Sequence, residues 1–391
     1  MLFTFLSLAT CLDNGLAKTP PMGWASWEQF KCTINCWPFP SICISEDLFV
    51  QHIDRIVEDG YLDAGYEFVN IDDCWMKSKR DSKTNRLVED SSRFPHGIKW
   101  LADYAHSKGV KLGIYNDFGS QTCSGYAGSE GYLIEDAKTF SEWGIDFLKM
   151  DGCYSNPLDQ NDAYPGMMYF LNKTGRPMVY SCSWPAYNME MDYSPIPEFC
   201  NLWRNYVPDI HPNWESISAI IDYWGNQESW IQLAGPGHWN DPDFILVGLK
   251  HGLTQIESET QFAMWAILAA PLIMSNDLRN IDDWAKEILL NKEIIAVDQD
   301  KLGIQGRRIS KLEEQGQVWV RQLENNELAV ALLNRGDSKI DITAVFESFS
   351  EHQTFAIRDL YQHEDLGEFT TNFTANDVPA HGVRMLRLVP K

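Results

Sequence analysis

The residues best suited to chemistry in this chain are carboxylates that close short apolar runs. Residues 66–71 are followed by Asp72 and Asp73, 110–115 by Asn116 and Asp117, and 145–150 by Asp151. Residues 199–204 precede Asp209, and 231–234 precede Asp241 and Asp243. Cleaving a glycosidic bond with retention needs one carboxylate as nucleophile and one carboxylic acid to protonate the leaving oxygen, about 5–5.5 Å apart. Asp151 suits the first role. It ends its run, follows by two residues Lys149, whose charge would keep it ionised, and precedes Gly152, which would let a substrate approach. Asp209, in the loop after its own run, can face it across a pocket.

Apolar runs of this length read as strands buried on both faces, and helical patterns lie between most of them. Strand-helix repetition of this kind predicts a parallel sheet closed into a (β/α)₈ TIM barrel, whose strand ends bring acids distant in sequence to one mouth. The first, fifth and eighth strands are expected at 22–27, 178–182 and 271–276. Ser45 caps a predicted helix with Glu46 and Asp47 in its first turn and Leu48, Ile53, Ile56 and Val57 as its apolar stripe. Ile98, Leu101, Ala102 and Ala105 mark a second helix, 262–270 is apolar all round, and 284–297 reads as the last helix. The texture changes around 303–306. Short runs at 318–320, 328–333, 355–357 and 383–388, with turn signals at 325–326 and 335–337, predict a C-terminal antiparallel β-sandwich domain over 306–391, after a catalytic barrel over 12–305.

The 391 residues carry a net charge of −23, which disfavours nucleic acid and anionic membranes as partners. Residues 1–11 are apolar and uncharged and read as a short signal peptide. No run reaches the roughly 18 residues of a membrane span. Nine cysteines become an even eight without Cys11, which suggests four disulfides of open pairing; zinc is disfavoured because no CxxC pair is present. Two acceptor sequons, at Asn172 and Asn372, agree with a secretory route.

Six collinear motifs carry a resemblance: 12–16, 19–24 (Thr-Pro-Pro-Met-Gly-Trp), 71–75 (Ile-Asp-Asp-Cys-Trp), 112–115, 149–153 (Lys-Met-Asp-Gly-Cys) and 239–243 (Trp-Asn-Asp-Pro-Asp). The chain resembles the lysosomal α-galactosidase and α-N-acetylgalactosaminidase family, glycoside hydrolase family 27, from Leu12 to about Arg308. The resemblance implies the barrel, the C-terminal sandwich, and retaining hydrolysis of terminal α-galactosides without a metal or organic cofactor. It implies Asp151 as nucleophile and Asp209 as acid/base. Trp27 would border the sugar, and Asp72 and Asp73 would bind the hydroxyls that distinguish galacto from gluco configuration. Tyr115, Lys149, Tyr187, Arg204 and Asp243 would complete the pocket. It also implies the bridges Cys32–Cys74, Cys36–Cys43, Cys123–Cys153 and Cys182–Cys200, substrates such as glycoproteins, glycolipids and oligosaccharides, a homodimer, and a lysosomal or secreted location.

Three departures stand out. The segment between Arg204 and Asp209 is one residue longer than the family usually has, Phe244 replaces the usual methionine, and Gln121 stands where relatives often carry a glycosylated asparagine. Within the family the segment 181–187 divides the sugars: galactosidases carry Glu and Leu where N-acetylgalactosaminidases carry Ser and Ala. Here the residues are Ser183 and Ala186. Ser183 can donate to an acetamide carbonyl and Ala186 leaves room for its methyl, so terminal α-GalNAc is the expected substrate, with weaker action on α-galactosides. Two rival readings compete. Asp72, Asp73, Asp241 and Asp243 could serve as hard metal ligands, but Lys149 beside them and the lack of a His cluster speak against it. A silent sugar-binding homologue would lack the nucleophile or the acid, and both are present.

Overall fold

The computed structural model describes residue 12 and residues 14–188 and 191–391. The expected signal peptide, 1–11, and Asp13 of the first motif lie outside the described residues.

Eight strands, β1 Met22–Ala25, β2 Phe68–Asn70, β3 Lys111–Asp117, β4 Phe147–Asp151, β5 Val179–Cys182, β6 Leu202–Arg204, β7 Trp239–Asp241 and β8 Leu272–Met274, form one sheet in the order β7-β6-β5-β4-β3-β2-β1-β8. Every neighbouring pair is parallel. The ring closes just beyond β7, where Ile245 bridges in parallel to Met274, its N–H donating to the Ile273 carbonyl (2.8 Å). The barrel interior is filled by rings: Phe68 meets Phe147 edge to face at 5.5 Å within a cluster that includes Val179, Leu202 and Trp239. Gly113 makes this possible, because a Cβ there would lie 1.9 Å from Asn70 Oδ1 and 3.0 Å from the Phe147 Cβ.

Local chemistry explains where elements differ from expectation. β1 stops at Ala25, and Trp27–Phe30 is a helical turn rather than the end of a strand. The 231–234 run is not the seventh strand. Glu228–Ile231 is a helical turn, a Gly235–His238 turn follows, and β7 is Trp239–Asp241; four apolar residues fit a buried helical turn as well as a strand. The predicted last helix is two, Asp283–Leu289 and Lys292–Asp298, because the Asn291 side chain accepts the amides of Glu293 and Ile294 and starts a new cap. Ser45 precedes the helix Glu46–Glu58, yet its hydroxyl makes no cap bond and the Arg93 carbonyl takes the Glu46 amide. The all-round apolar helix is Gln255–Ile267, buried throughout its second half and opened by a Thr254–Glu257 capping box.

The C-terminal strands are β9 Arg307–Arg308, β10 Gly316–Gln322, β11 Leu328–Asn334, β12 Ile340–Val345, β13 Thr354–Asp359, β14 Glu364–Thr370, β15 Asn372–Val378 and β16 Val383–Pro390. A six-stranded sheet, β14-β13-β16-β11-β10-β9, faces the pair β12-β15. Strand alternation gives the large sheet two apolar faces. Val318, Val330, Leu332 and Leu388 pack with Ile342 and Phe346 inside the sandwich. Trp319, Ala331, Leu333 and Met385 point the other way, into the core that surrounds the barrel. Arg321, fully buried, crosses the same seam: its Nη1 donates to the Ala266 carbonyl (2.5 Å) and its Nη2 to the Asp298 carbonyl (3.2 Å). Among the described residues no helix is long and apolar enough to cross a membrane.

Candidate active site

The ends of seven strands, β1 to β7, and the segments that follow them supply the side chains of a cleft of about 140 Å³ lined by Trp27, Glu28, Asp72, Tyr115, Lys149, Asp151, Tyr187, Arg204, Asp209, Asp243, Phe244 and the Cys123–Cys153 bridge. A larger groove of about 1000 Å³ lies outside the barrel near Trp284 and Tyr361, away from these acids.

Asp151 is the last residue of β4, paired in register with Asp117 of β3. Its side chain is buried among donors: the Tyr115 hydroxyl reaches Oδ2 at 3.0 Å, the Gly152 amide reaches Oδ1 at 3.2 Å, and the Tyr187 hydroxyl also donates to it. Burial alone would push the carboxyl up, but the charges of Lys149 and Arg204 and the two phenols outweigh it and hold Asp151 below the usual carboxylate range. Lys149 acts on Asp151 through its field. Its ammonium is bonded to Asp72 Oδ2 (2.8 Å), and Asp72, Asp151 and Asp243 keep it protonated against its burial. Gly152 also serves packing: a Cβ there would lie 2.7 Å from two carbons of the Tyr187 ring.

Asp117 is the counterpart of Asp151. Burial, then the neighbouring Asp151 charge, pushes its carboxyl up to about 9, although it accepts the Gly119 and Cys153 amides (3.0 and 3.1 Å). Proton sharing between two such close acids belongs to the pair.

On the far side, Arg204 ends β6 and links two acids: its Nη1 lies 3.4 Å from Asp209 Oδ1 and 3.6 Å from Asp243 Oδ2. Asp209 stands in the following loop with its side chain 76% exposed. Asp243 has φ +81°, a conformation a non-glycine residue adopts at a cost, and it is secured by the Asp241 carboxylate on its amide (2.8 Å) and by the Trp265 indole on its carbonyl (2.8 Å). Asp241 lies deeper; burial, then Asp243, pushes it up to about 7.

The cleft therefore gathers Trp27, Asp72, Tyr115, Lys149, Asp151, Tyr187, Arg204, Asp209 and Asp243. It does not gather all the expected residues. Asp73 is buried beside it with its carboxylate engaged by the Cys74 and Ser124 amides (2.6 and 3.0 Å). Ser183 lines an inner chamber of about 30 Å³ beneath the cleft, with Asn70, Ser181, Asp241 and Phe244 among its walls. Ala186 is buried in the helical turn Trp184–Tyr187. The four bridges Cys32–Cys74, Cys36–Cys43, Cys123–Cys153 and Cys182–Cys200 are present. As metal ligands the acids are poorly free: Asp72 is spent on Lys149, Asp73 on amides and Asp243 on Arg204. The cluster Asp117, Cys123 and Cys153 offers no thiolate, because its cysteines are joined.

A family profile described as alpha galactosidase A matches residues 19–300, and one described as the alpha galactosidase C-terminal beta sandwich domain matches 313–388. The chain is 47% identical to an alpha-N-acetylgalactosaminidase of Gallus gallus, over 97% of this chain and 96% of that protein. It is 50% identical to alpha-galactosidase A of Homo sapiens, over 84% and 76%. The crystal structure of alpha-galactosidase I from Mortierella vinacea superposes with a TM-score of 0.84 at 35% identity, covering 97% of this chain and 99% of that one. This chain belongs to the alpha-galactosidase family of glycoside hydrolases.

Glu28 lines the cleft, its carboxyl raised by burial and paired with Lys31 (2.8 Å). No pattern flags it, since it sits in the unexpected helical turn after β1. Asp117 and Asp241 were visible as strand-end acids, but only the fold shows Asp117 in register with Asp151 and Asp241 on the wall of the inner chamber. Phe244 was visible as a departure, and its position on both cavities gives the departure its meaning.

Proposed function

We propose that this glycoside hydrolase removes terminal α-N-acetylgalactosamine from glycoproteins, glycolipids or oligosaccharides by double displacement, and acts more weakly on terminal α-galactosides. The observation that carries the mechanism is the pairing, in one cleft, of a buried carboxylate held below its usual pKa, Asp151, with a solvent-exposed carboxyl, Asp209. Asp151 attacks the anomeric carbon while Asp209 gives its proton to the departing glycosidic oxygen. Asp209, now ionised, takes a proton from water, and that water releases the sugar from Asp151. Asp72, Asp73, Lys149, Arg204 and Asp243 bind sugar hydroxyls, Tyr115 and Tyr187 orient the nucleophile, and Trp27 borders the ring.

Ser183 and Ala186 support the acetamido sugar: neither brings a carboxylate or a branched side chain to the 2-position. Matched aryl α-GalNAc and α-galactose substrates, assayed side by side, test the choice; a clear preference for the galactoside would make the second reading, α-galactosidase, the main one. The same reading takes 12–305 as the catalytic unit and 306–391 as its sandwich, with a homodimer working in the lysosome or after secretion. Exposed acceptor asparagines at 172 and 372 suit glycosylation on that route.

A further inference from the structure

The Lys149 ammonium has an aromatic ring on each of two sides. Its Nζ lies 5.3 Å from the centre of the Tyr115 ring and 4.7 Å from that of Phe244, with Asp72 Oδ2 at 2.8 Å. The Phe244 main chain is anchored at both polar atoms. Its amide donates to Asp243 Oδ1 (2.9 Å) and its carbonyl accepts from Gln261 Nε2 (3.0 Å), which holds its backbone, and the residue lines both the cleft and the inner chamber. A cation facing a ring is attracted by its quadrupole, and more strongly when water is displaced.

We propose that Phe244 is a positioning residue that closes an aromatic clamp with Tyr115, seating the Lys149 ammonium between Asp72 and Asp151. The inference rests on Asp151 as the nucleophile. The charged groups that act on Lys149 include Asp72, Asp151 and Asp243; Glu28 and Asp241 also feel its field, and Asp117 faces Asp151 from β3. Arg204 is the second cation that acts on Asp151. With the ring removed, the ammonium gains freedom to drift toward solvent and Asp151 loses part of the field that keeps it ionised.

The test is the pH profile of kcat/KM for the full chain and for Phe244→Leu, which keeps apolar bulk without a ring, and Phe244→Tyr, which restores the ring. Phe244→Leu should lower kcat/KM roughly 3- to 30-fold and move the acidic limb to higher pH, whereas Phe244→Tyr should recover most of both. If Leu does not fold, as read by its melting transition, Phe244→Met takes its place with the same expectation. An unmoved acidic limb in the ring-less variant, or equal losses in Leu and Tyr, overturns the clamp. Asp151→Asn run in parallel separates the two readings. Turnover surviving there defeats the nucleophile assignment, while a dead Asp151→Asn with an unmoved Phe244→Leu limb defeats the clamp alone.

Discussion

The end of β4 and the loop after β6 each bring one carboxylate to the cleft, and they are built in opposite ways. Asp151 is part of a strand, in register with Asp117, enclosed by three donors and two cations. Asp209 is outside regular structure and mostly in solvent, with one long contact to Arg204. The difference fits the work proposed for each. A nucleophile must stay ionised and aimed, so enclosure by a rigid sheet helps it. An acid/base group changes charge twice per turnover and must exchange protons with water, which enclosure would hinder.

Substitution should break the contrast most sharply. Asp151→Asn should lower kcat on the order of 10⁴-fold or more with any leaving group, because the first step has no other nucleophile. A mechanism-based fluorosugar should label the peptide containing Asp151; label on another carboxylate would refute the assignment. Asp209→Asn should cost about 10²- to 10⁴-fold on natural aglycones and far less on activated aryl glycosides, whose leaving groups need no proton. Equal losses on both substrate types would show that Asp209 is not the acid.

Specificity is the next largest effect. Ser183→Glu with Ala186→Leu should abolish most α-GalNAc activity and preserve or raise α-galactoside activity, a change in preference of about 10- to 100-fold, since a buried charge-assisted bond is worth about 1.5–3 kcal/mol. Parallel loss of both activities would remove this turn from the selection of sugar.

The pH profile gives the next test. The kcat/KM profile should be bell-shaped with an optimum below about pH 6 for a carboxylate pair, and its acidic limb, set by Asp151, should lie below the ordinary aspartate value of about 3.9. An optimum at neutral pH would defeat the pairing. The smallest effect concerns stability. Burial pushes Asp117, Asp241 and Asp298 up to about 9, 7 and 8. In each case the folded chain holds a proton that the unfolded chain has lost above about pH 4, so the stabilisation is complete below that pH and disappears as pH rises through the folded values. Melting temperature should therefore fall between pH 5 and pH 9, and less steeply in Asp298→Asn. A melting temperature that rises over this range would contradict the burial argument.

Legibility in the sequence followed the same division. Residues that end strands could be placed because a parallel sheet puts all its carboxyl ends at one mouth: Asp72, Tyr115, Lys149, Asp151 and Arg204 all line the cleft. Loops and turns gave no such rule. Glu28 lies in a helical turn where a strand was expected, and β7 begins five residues after the run read as that strand. Asp73, one residue past Asp72, lies outside the cleft lining, with each carboxylate oxygen accepting one amide. In the sandwich, β12, β14 and β15 escaped notice because their outward faces are polar and no apolar run betrays them; β14 in particular has no buried residue.

The helix Gln255–Ile267 is buried on the barrel side and also beneath Trp319, Ala331 and Met385 of the C-terminal sheet, with Arg321 capping its Ala266 carbonyl. During synthesis the barrel strands emerge first, yet this helix cannot shed water from its outer side until β16 has left the ribosome. The barrel must therefore wait, incompletely covered, for the last part of the chain. A lesion in the sandwich, far from any sugar, would act by prolonging that wait, and its effect would show in yield of folded enzyme rather than in the kinetics of the enzyme that does fold.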